Sequence, residues 1–491
     1  MKNIIKYSTV FLLILLLNGC VKDKWMNPAP VTSLSDLTAF DTKDRILAQI
    51  NGMYTSLKDG NHLGGRFMVY NDVRADNFLP TSSNLVTCFA TWNHTVISST
   101  NEVQNLWGAV YQTINVVNVF LDGLKAAKED GKLSFLTDAE YNQYRSEGLT
   151  IRAICYFDLM QMYSKPYKLN NGAGQGVPLR LVANKSAAEN DLAPSTVAEV
   201  YTQILADLNE AEPLAILNHG SIVKNTTRVH RNTIVAYKTR VLLHMHNWAQ
   251  VVTESAKIVP ASAPFKAGSG VPNELNAAFA AVFASPSATN ETILSLPMTA
   301  SNNPGTQNNL AHYFKSGTGE SYYLNTAAGS AYALMDAADA RKVMTNTVSG
   351  KTYITKYVDQ ANKTDYPQVI RYAEVMLNRA EALVRSGNAV TQEAVDLLNA
   401  VRTRSFAAGA YTLASFANAD AFYTAILNER NMEFLGEGIR NMDLLRLGLT
   451  IPGKSDPTFG TVASIAPTAQ SYYWPVPDSE LSYNKLMTPN N

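Results

Sequence analysis

Cysteine is scarce in this chain of 491 residues, and so are net charge and long apolar runs. Three cysteines, Cys20, Cys88 and Cys155, are too few for the disulfide framework that small exported domains use in place of a large core. The 41 lysines and arginines are balanced by 41 aspartates and glutamates, with no basic run. Nothing therefore points to a nucleic-acid partner, since phosphate binding needs clustered cations. The one continuous apolar stretch, residues 10–17 (VFLLILLL), falls short of the roughly 20 residues that a bilayer-crossing helix needs. Catalytic signatures are missing as well. There is no HExxH zinc motif and no GxSxG elbow. Gly172-Ala173-Gly174-Gln175-Gly176 lacks the following Lys-Ser/Thr and the strand–helix frame of a phosphate cradle. His244 and His246, two apart, fall on different sides of a helix and make no metal pair. No metal and no cofactor are expected.

What is present begins at the N-terminus. Lys2 and Lys6 precede the apolar run, and Leu17-Asn18-Gly19-Cys20 follows it. This is the pattern of a lipoprotein signal peptide over residues 1–19, with cleavage leaving Cys20 to receive acyl chains. At about 0.8 kcal/mol per buried methylene, several chains on one residue anchor stably. Residues 20–40, rich in Pro, Ser and Thr without helical period, read as a lipid-anchored tether.

Beyond the tether, helical periods dominate. Ile46, Ile50, Met53 and Leu57 form one apolar stripe, and Val103, Leu106, Val110, Ile114, Val117, Leu121 and Leu124 form another. Arg152 to Tyr163 lie in a third helix, and Ser195 is the expected N-cap of a fourth carrying Val197, Val200, Ile204 and Leu208. Helical hairpins are predicted over 230–259 and 368–404, the second broken at Ser386-Gly387-Asn388 and restarted by Thr391. Small contact residues such as Ala373 and Ala380 let paired helices approach closely, so the hairpins resemble tetratricopeptide units, without a strict 34-residue repeat. The expected fold is mostly all-α, a scaffold of tetratricopeptide-like hairpins with long irregular insertions carrying the binding face. Residues 60–100 and 260–365 are those insertions; loops of such length are usually functional. The body divides into an N-terminal helical region (41–259), a loop-rich insertion (260–365) and a C-terminal region (366–491), packed as one.

Three C-terminal blocks carry a resemblance to a known family. Residues 369–382 (VIRYAEVMLNRAEA) are followed by Leu398-Asn399-Ala400-Val401-Arg402-Thr403-Arg404. Glu429-Arg430-Asn431-Met432-Glu433-Phe434 leads into Gly438-Ile439-Arg440-Asn441-Met442-Asp443-Leu444-Leu445-Arg446, and Trp474-Pro475-Val476-Pro477 with Glu480 comes near the end. Upstream, Tyr70 to Asp76, the Trp107/Tyr111/Ile114/Asn118 spacing, and Ile151-Arg152-Ala153 with Tyr156-Phe157-Asp158-Leu159 keep the same order. Together they resemble the SusD/RagB family of outer-membrane nutrient-binding lipoproteins of Bacteroidetes, over essentially the whole mature chain. Two departures touch only loops: Ser164 stands where the family usually has Gly, and the end is reduced to Thr488-Pro489-Asn490-Asn491. The resemblance implies a lipid-anchored, cell-surface protein of the outer membrane. It would bind an oligosaccharide, or alternatively a peptide or glycoprotein, and deliver it to a SusC-like TonB-dependent transporter. It implies no catalysis. The competing classes are an exported glycoside hydrolase and a repeat scaffold that binds only proteins.

The cluster Glu429, Glu433, Glu437 and Asp443, with Arg430, Arg440 and Arg446, offers the paired carboxylates of glycosidase chemistry as one reading. Glu429 and Glu433 share the helix face of Phe422 and Ile426, however, where half-buried carboxylates need cationic partners. A structural clamp is expected, with arginines of the next segment as partners. Trp107 and Trp474, inside framework motifs, are expected to be structural. For the ligand, aromatic rings beside polar side chains in the irregular segments are the candidates: Trp92 with Asn93, Tyr313 with Phe314, and Tyr322 with Tyr323. A flat ring meets the apolar face of a sugar while an amide or carboxylate meets its rim. Trp92 is expected to be exposed, since Phe89 to His94 shows little periodicity.

Overall fold

In the computed structural model, which describes residues 38–285, 287–317 and 321–490, the sequence's helical periods become stacked helical hairpins. Cys20 and most of the tether lie outside the described residues. Helix α1 (Lys43–Leu57) buries Ile46, Ile50, Met53 and Leu57, and the Thr42 hydroxyl caps it by accepting the Arg45 N–H at 3.3 Å. Two short helices follow, α2 (Arg66–Val73) and α3 (Phe89–Trp92). Both fall in a stretch expected to be irregular. All eight residues of α2 are buried, so it has no polar face and no periodic signal.

Helices α4 (Asn101–Glu129) and α5 (Asp138–Tyr163) pack closely, and α6 (Val197–Leu214) lies against α5. At Gly148 of α5 a Cβ would sit 2.8 Å from the Leu121 side chain, so glycine sets how near α4 comes. Helix α6 starts one residue later than expected. Thr196, not Ser195, is its cap, because Thr196 and Glu199 satisfy each other's backbone N–H groups in a capping box. The short α7 (Ile222–Thr227) precedes the hairpin of α8 (Arg231–His244) and α9 (Trp248–Ser255). After α10 (Leu310–Phe314) comes the hairpin of α11 (Tyr372–Gly387) and α12 (Gln392–Ser405). Asn388 breaks it at φ 48°, and Thr391 restarts it by accepting the Ala394 N–H at 3.2 Å. Helix α9 packs on both α8 and α11, which gives the serial stacking of a repeat scaffold. Helices α13 (Ala419–Glu433) and α14 (Arg440–Arg446) complete the C-terminal region.

Among the described residues, strands appear only as antiparallel pairs: β1 (Phe78–Pro80) with β3 (Tyr322–Leu324), β2 (Thr292–Ser295) with β6 (Gln368–Arg371), β4 (Thr345–Val348) with β5 (Lys351–Ile354), and β7 (Lys454–Asp456) with β8 (Gly460–Val462). Residues 368–371, expected as helix, are therefore strand. The fold is mostly helical, as expected. One apolar core runs from Ile46 to Met487 and takes in Ile293, Leu294, Tyr313 and Tyr322 of the loop-rich insertion. Cys88 and Cys155 are buried free thiols.

Candidate ligand-binding face

Most of the aromatic candidates turn inward. Trp92 is fully buried, against the expectation of an exposed indole. Its Nε1–H donates to the Phe78 carbonyl at 2.9 Å, and its ring packs on Phe89 at 5.5 Å between centroids. The physical reason is α3: one helical turn, entered from Cys88 at φ 68°, is enough to aim the indole into the core yet too short to show a period. Asn93, the next residue, ends that turn half-buried, its N–H bonded to the Phe89 carbonyl. Tyr313 and Phe314 sit in α10 and are also buried. The Tyr313 hydroxyl donates to the Gln307 carbonyl at 2.7 Å, while Phe314 packs on Phe78 at 4.8 Å and on Tyr357 at 6.1 Å. On β3 the side chains alternate. Tyr322 points inward and donates to the Thr87 carbonyl at 3.0 Å, and Tyr323 points outward.

Tyr323 thus becomes the centre of what remains accessible. Its hydroxyl donates to the Asp456 carboxylate, which raises the phenol pKa together with burial, the larger cause. Lys351 Nζ stands 4.5 Å from its ring centroid, and Tyr353 lies 6.4 Å away. Asp456 is fixed in turn, since its other oxygen accepts the Thr458 and Phe459 N–H groups. Phe459 and Phe89, both half-buried, meet edge to face at 5.6 Å. Beside this cluster opens a cleft of about 570 Å³ lined by Asp76, Asn325, Ser330, Lys454, Ser455 and Thr461, among others. Three separate loop regions, around β1–α3, β3–β5 and β7–β8, build the face. Lys351, Tyr353, Asp456, Phe459 and Phe89 were not singled out from sequence. The signal for the last hairpin was there, as Asp456-Pro457-Thr458-Phe459-Gly460 is a turn sequence.

A buried lysine and a half-buried histidine hold the hairpin of this face to the scaffold. Lys454 Nζ donates to the carbonyls of Val73, Arg74 and Ala75 at 2.5, 3.1 and 2.9 Å, capping the C-terminal end of α2. Burial pushes its pKa well down. The His94 ring bridges the same two segments, with Nε2 2.8 Å from the Arg74 carbonyl and Nδ1 3.0 Å from that of Ala463. Burial and the Lys454 charge hold that imidazole at a pKa of about 4.

The signature carboxylates lie elsewhere, inside the fold. Glu429 is paired with Arg341 at 2.6 Å and Arg402 at 2.9 Å. Glu433 is paired with Arg371 at 3.0 Å and with Arg404. Arg371 and Arg404 also share Glu291, each at 2.5 Å. These partners come from upstream, not from the following segment as expected. Arg440 instead reaches Asp76 at 3.0 Å, and Arg430 reaches Asp443 at 2.7 Å. Arg446 takes Asp443 and Glu381 at 2.7 and 2.6 Å. Burial would raise the Glu433 pKa, but Arg404, Arg371 and Arg341 outweigh it and hold the carboxyl at about 2. A carboxylate committed to buried arginines in this way is unsuited to general acid work, which needs a proton held near neutral pH. Trp107 and Trp474 are buried framework residues, Trp474 packing on Tyr70 at 5.1 Å.

Comparison with known proteins accounts for both halves of the chain. A family model described as the SusD family matches residues 300–491, and one described as starch-binding and associating with the outer membrane matches residues 24–243. A SusD-like protein of Formosa agariphila is 23% identical over 267 residues, which is 53% of this chain and only 46% of that protein's length. Among solved structures, a SusD superfamily protein from Bacteroides fragilis superposes with a TM-score of 0.81 at 29% identity, over 91% of this chain and 99% of that one. A laminarin-binding SusD-like protein shares the fold at a TM-score of 0.71 and 19% identity, over 92% and 99%. With the N-terminal helices, the loop-built face and the buried signature block in the order those two models cover, the chain belongs to the SusD/RagB family.

Proposed function

We propose that this protein is a cell-surface lipoprotein, anchored at Cys20 in the outer membrane, that captures an oligosaccharide and delivers it to a SusC-like TonB-dependent transporter. The observation that carries the reading is the half-exposed Tyr323, flanked by Lys351 and Asp456, on a face whose β7–β8 hairpin also lines a cleft of about 570 Å³. The phenol ring offers an apolar surface, and the Lys351 ammonium with the exposed Ser455 and Thr461 hydroxyls offers partners for sugar hydroxyls. Asn93, half-buried at the end of the α3 turn, stays among the candidates. Family membership supports the glycan over a peptide, as does a fold shared with a laminarin-binding SusD-like protein. The role is capture and release without covalent chemistry, which fits signature carboxylates committed to arginine pairs. Affinity electrophoresis through gels carrying laminarin, starch or other polysaccharides tests the ligand class. Retardation by at least one glycan, with no release of reducing sugar, is expected. Reducing sugar released in proportion to protein would return the hydrolase reading, and retention by peptides alone would replace the glycan.

A further inference from the structure

Among the described residues, four exposed aliphatic side chains cluster far in sequence from the Tyr323 face. Residues 213–253 contain no aspartate or glutamate. Within them Ile216, Leu217, Ile222 and Val223 are 39%, 52%, 47% and 48% exposed. Helix α7 is built inside out. Its Asn225, Thr226 and Thr227 are buried while Ile222 and Val223 face solvent. The polar groups are satisfied locally. Asn225 accepts the His219 N–H at 2.8 Å and donates to Asn218 Oδ1 at 3.0 Å, and the hydroxyls of Thr226 and Thr227 donate to the Val223 carbonyl. The loop is therefore held in a shape that shows its apolar side chains outward. Beside it runs a groove of about 540 Å³ whose lining includes Leu47, Tyr144, Leu214, Ile216 and Leu217. Its two acids are both engaged, Glu140 by Lys43 and Glu147 by Arg228 at 2.6 Å. Lys224, on the same rim, has no carboxylate within salt-bridge distance among the described residues. Lys43 and Leu47 belong to the first turns of α1, the helix that leads back through Thr38 toward Cys20. The chain between Cys20 and Thr38 can reach at most about 60 Å.

We propose that this face, formed by Ile216, Leu217, Ile222, Val223 and Lys224, docks on a lipid bilayer with acidic headgroups and orients the body on the membrane. Exposed aliphatics enter the interfacial layer, an unpaired lysine meets an acidic headgroup, and an acid-free segment avoids repulsion there. Part of the argument rests on the Cys20 anchor proposed above, because a tether of that reach lets this face, beside the first turns of α1, meet the membrane.

The test uses the mature chain carrying Cys20→Ala, with no acyl group and no glycan, so its outcome is independent of lipidation and of the Tyr323 face. It is co-sedimented with vesicles of phosphatidylethanolamine and phosphatidylglycerol, and with vesicles of phosphatidylcholine alone. Association with the acidic vesicles is expected. It falls roughly tenfold or more in Leu217→Ser/Val223→Ser at an unchanged melting temperature, as loss of two inserted aliphatics requires. Lys224→Gln weakens binding to the acidic vesicles only. Absence of association, or equal association of the double variant, overturns the proposal. So does light scattering that shows a dimer dissolved by the same double variant, since a second copy would then cover the face.

Discussion

At the scale of single residues, burial decides what each charge does. Glu433 has no exposed surface and three arginines around it, so Glu433→Ala strands buried cations and should destabilise the fold by about 3–5 kcal/mol in chemical denaturation. Its folded pKa of about 2 lies below the ordinary glutamate value of 4.5. The stability it contributes is therefore complete above pH 4.5 and is lost as pH falls toward 2. A well-folded Glu433→Ala variant with an unchanged melting temperature would contradict this role. Asp72 has the opposite sign. Its carboxyl is buried, with one oxygen accepting the Gly438 N–H at 2.8 Å, and burial lifts its pKa from 3.8 to about 8. Such a group favours the fold fully below pH 3.8 and progressively less up to pH 8. Asp72→Asn keeps an acceptor for Gly438 and removes the ionisation. Its unfolding free energy should fall less than the wild type's between pH 5 and 8. Parallel pH profiles of the two proteins would refute the burial account.

At the scale of elements, what was legible depended on length and on having one polar face. Helix α1 and the helices from α4 to α6 announce themselves by stripes that the structure buries as read, and the break at Asn388 was visible as a turn sequence. Helix α2 was invisible because all of it is buried, and α3 because it is a single turn. The candidate face suffered most from this. Neighbouring tyrosines at 322 and 323 look alike in sequence, and only the pairing of β3 with β1 decides which one turns out. The signature block was recognisable as a clamp, but its partners, Arg341, Arg371, Arg402 and Arg404, could not be assigned before residues 27 to 88 apart were brought together by the fold. These placements separate two aromatic substitutions. Trp92→Ala removes a core indole and should cost about 3–5 kcal/mol of stability. Tyr323→Ala should leave the melting temperature within error of the wild type. Near-ultraviolet dichroism and thermal melts of both variants check the contrast, and an undisturbed Trp92→Ala protein would contradict the packing described here.

At the scale of the whole molecule, a helical scaffold with one continuous core carries a loop-built face, and the chain leads from α1 back toward Cys20. No described helix is long and apolar enough to cross a membrane; in the proposed reading, acylation of Cys20 and the docking face would supply the attachment. Cys20→Ala should move the protein from the membrane fraction to the soluble exported fraction, or leave it bound only through the weaker docking face. A variant that still pellets with outer membranes after a high-salt wash, in cells lacking the transporter, would contradict lipid anchoring. The central claim is that the Tyr323 face takes the glycan. Calorimetric titration of the retarding glycan into wild type and Tyr323→Ala, both verified as folded, tests it most directly. The account predicts a loss of about 1–2 kcal/mol in binding, roughly tenfold in Kd, from removing one aromatic anchor. Equal affinity of the two proteins would contradict it.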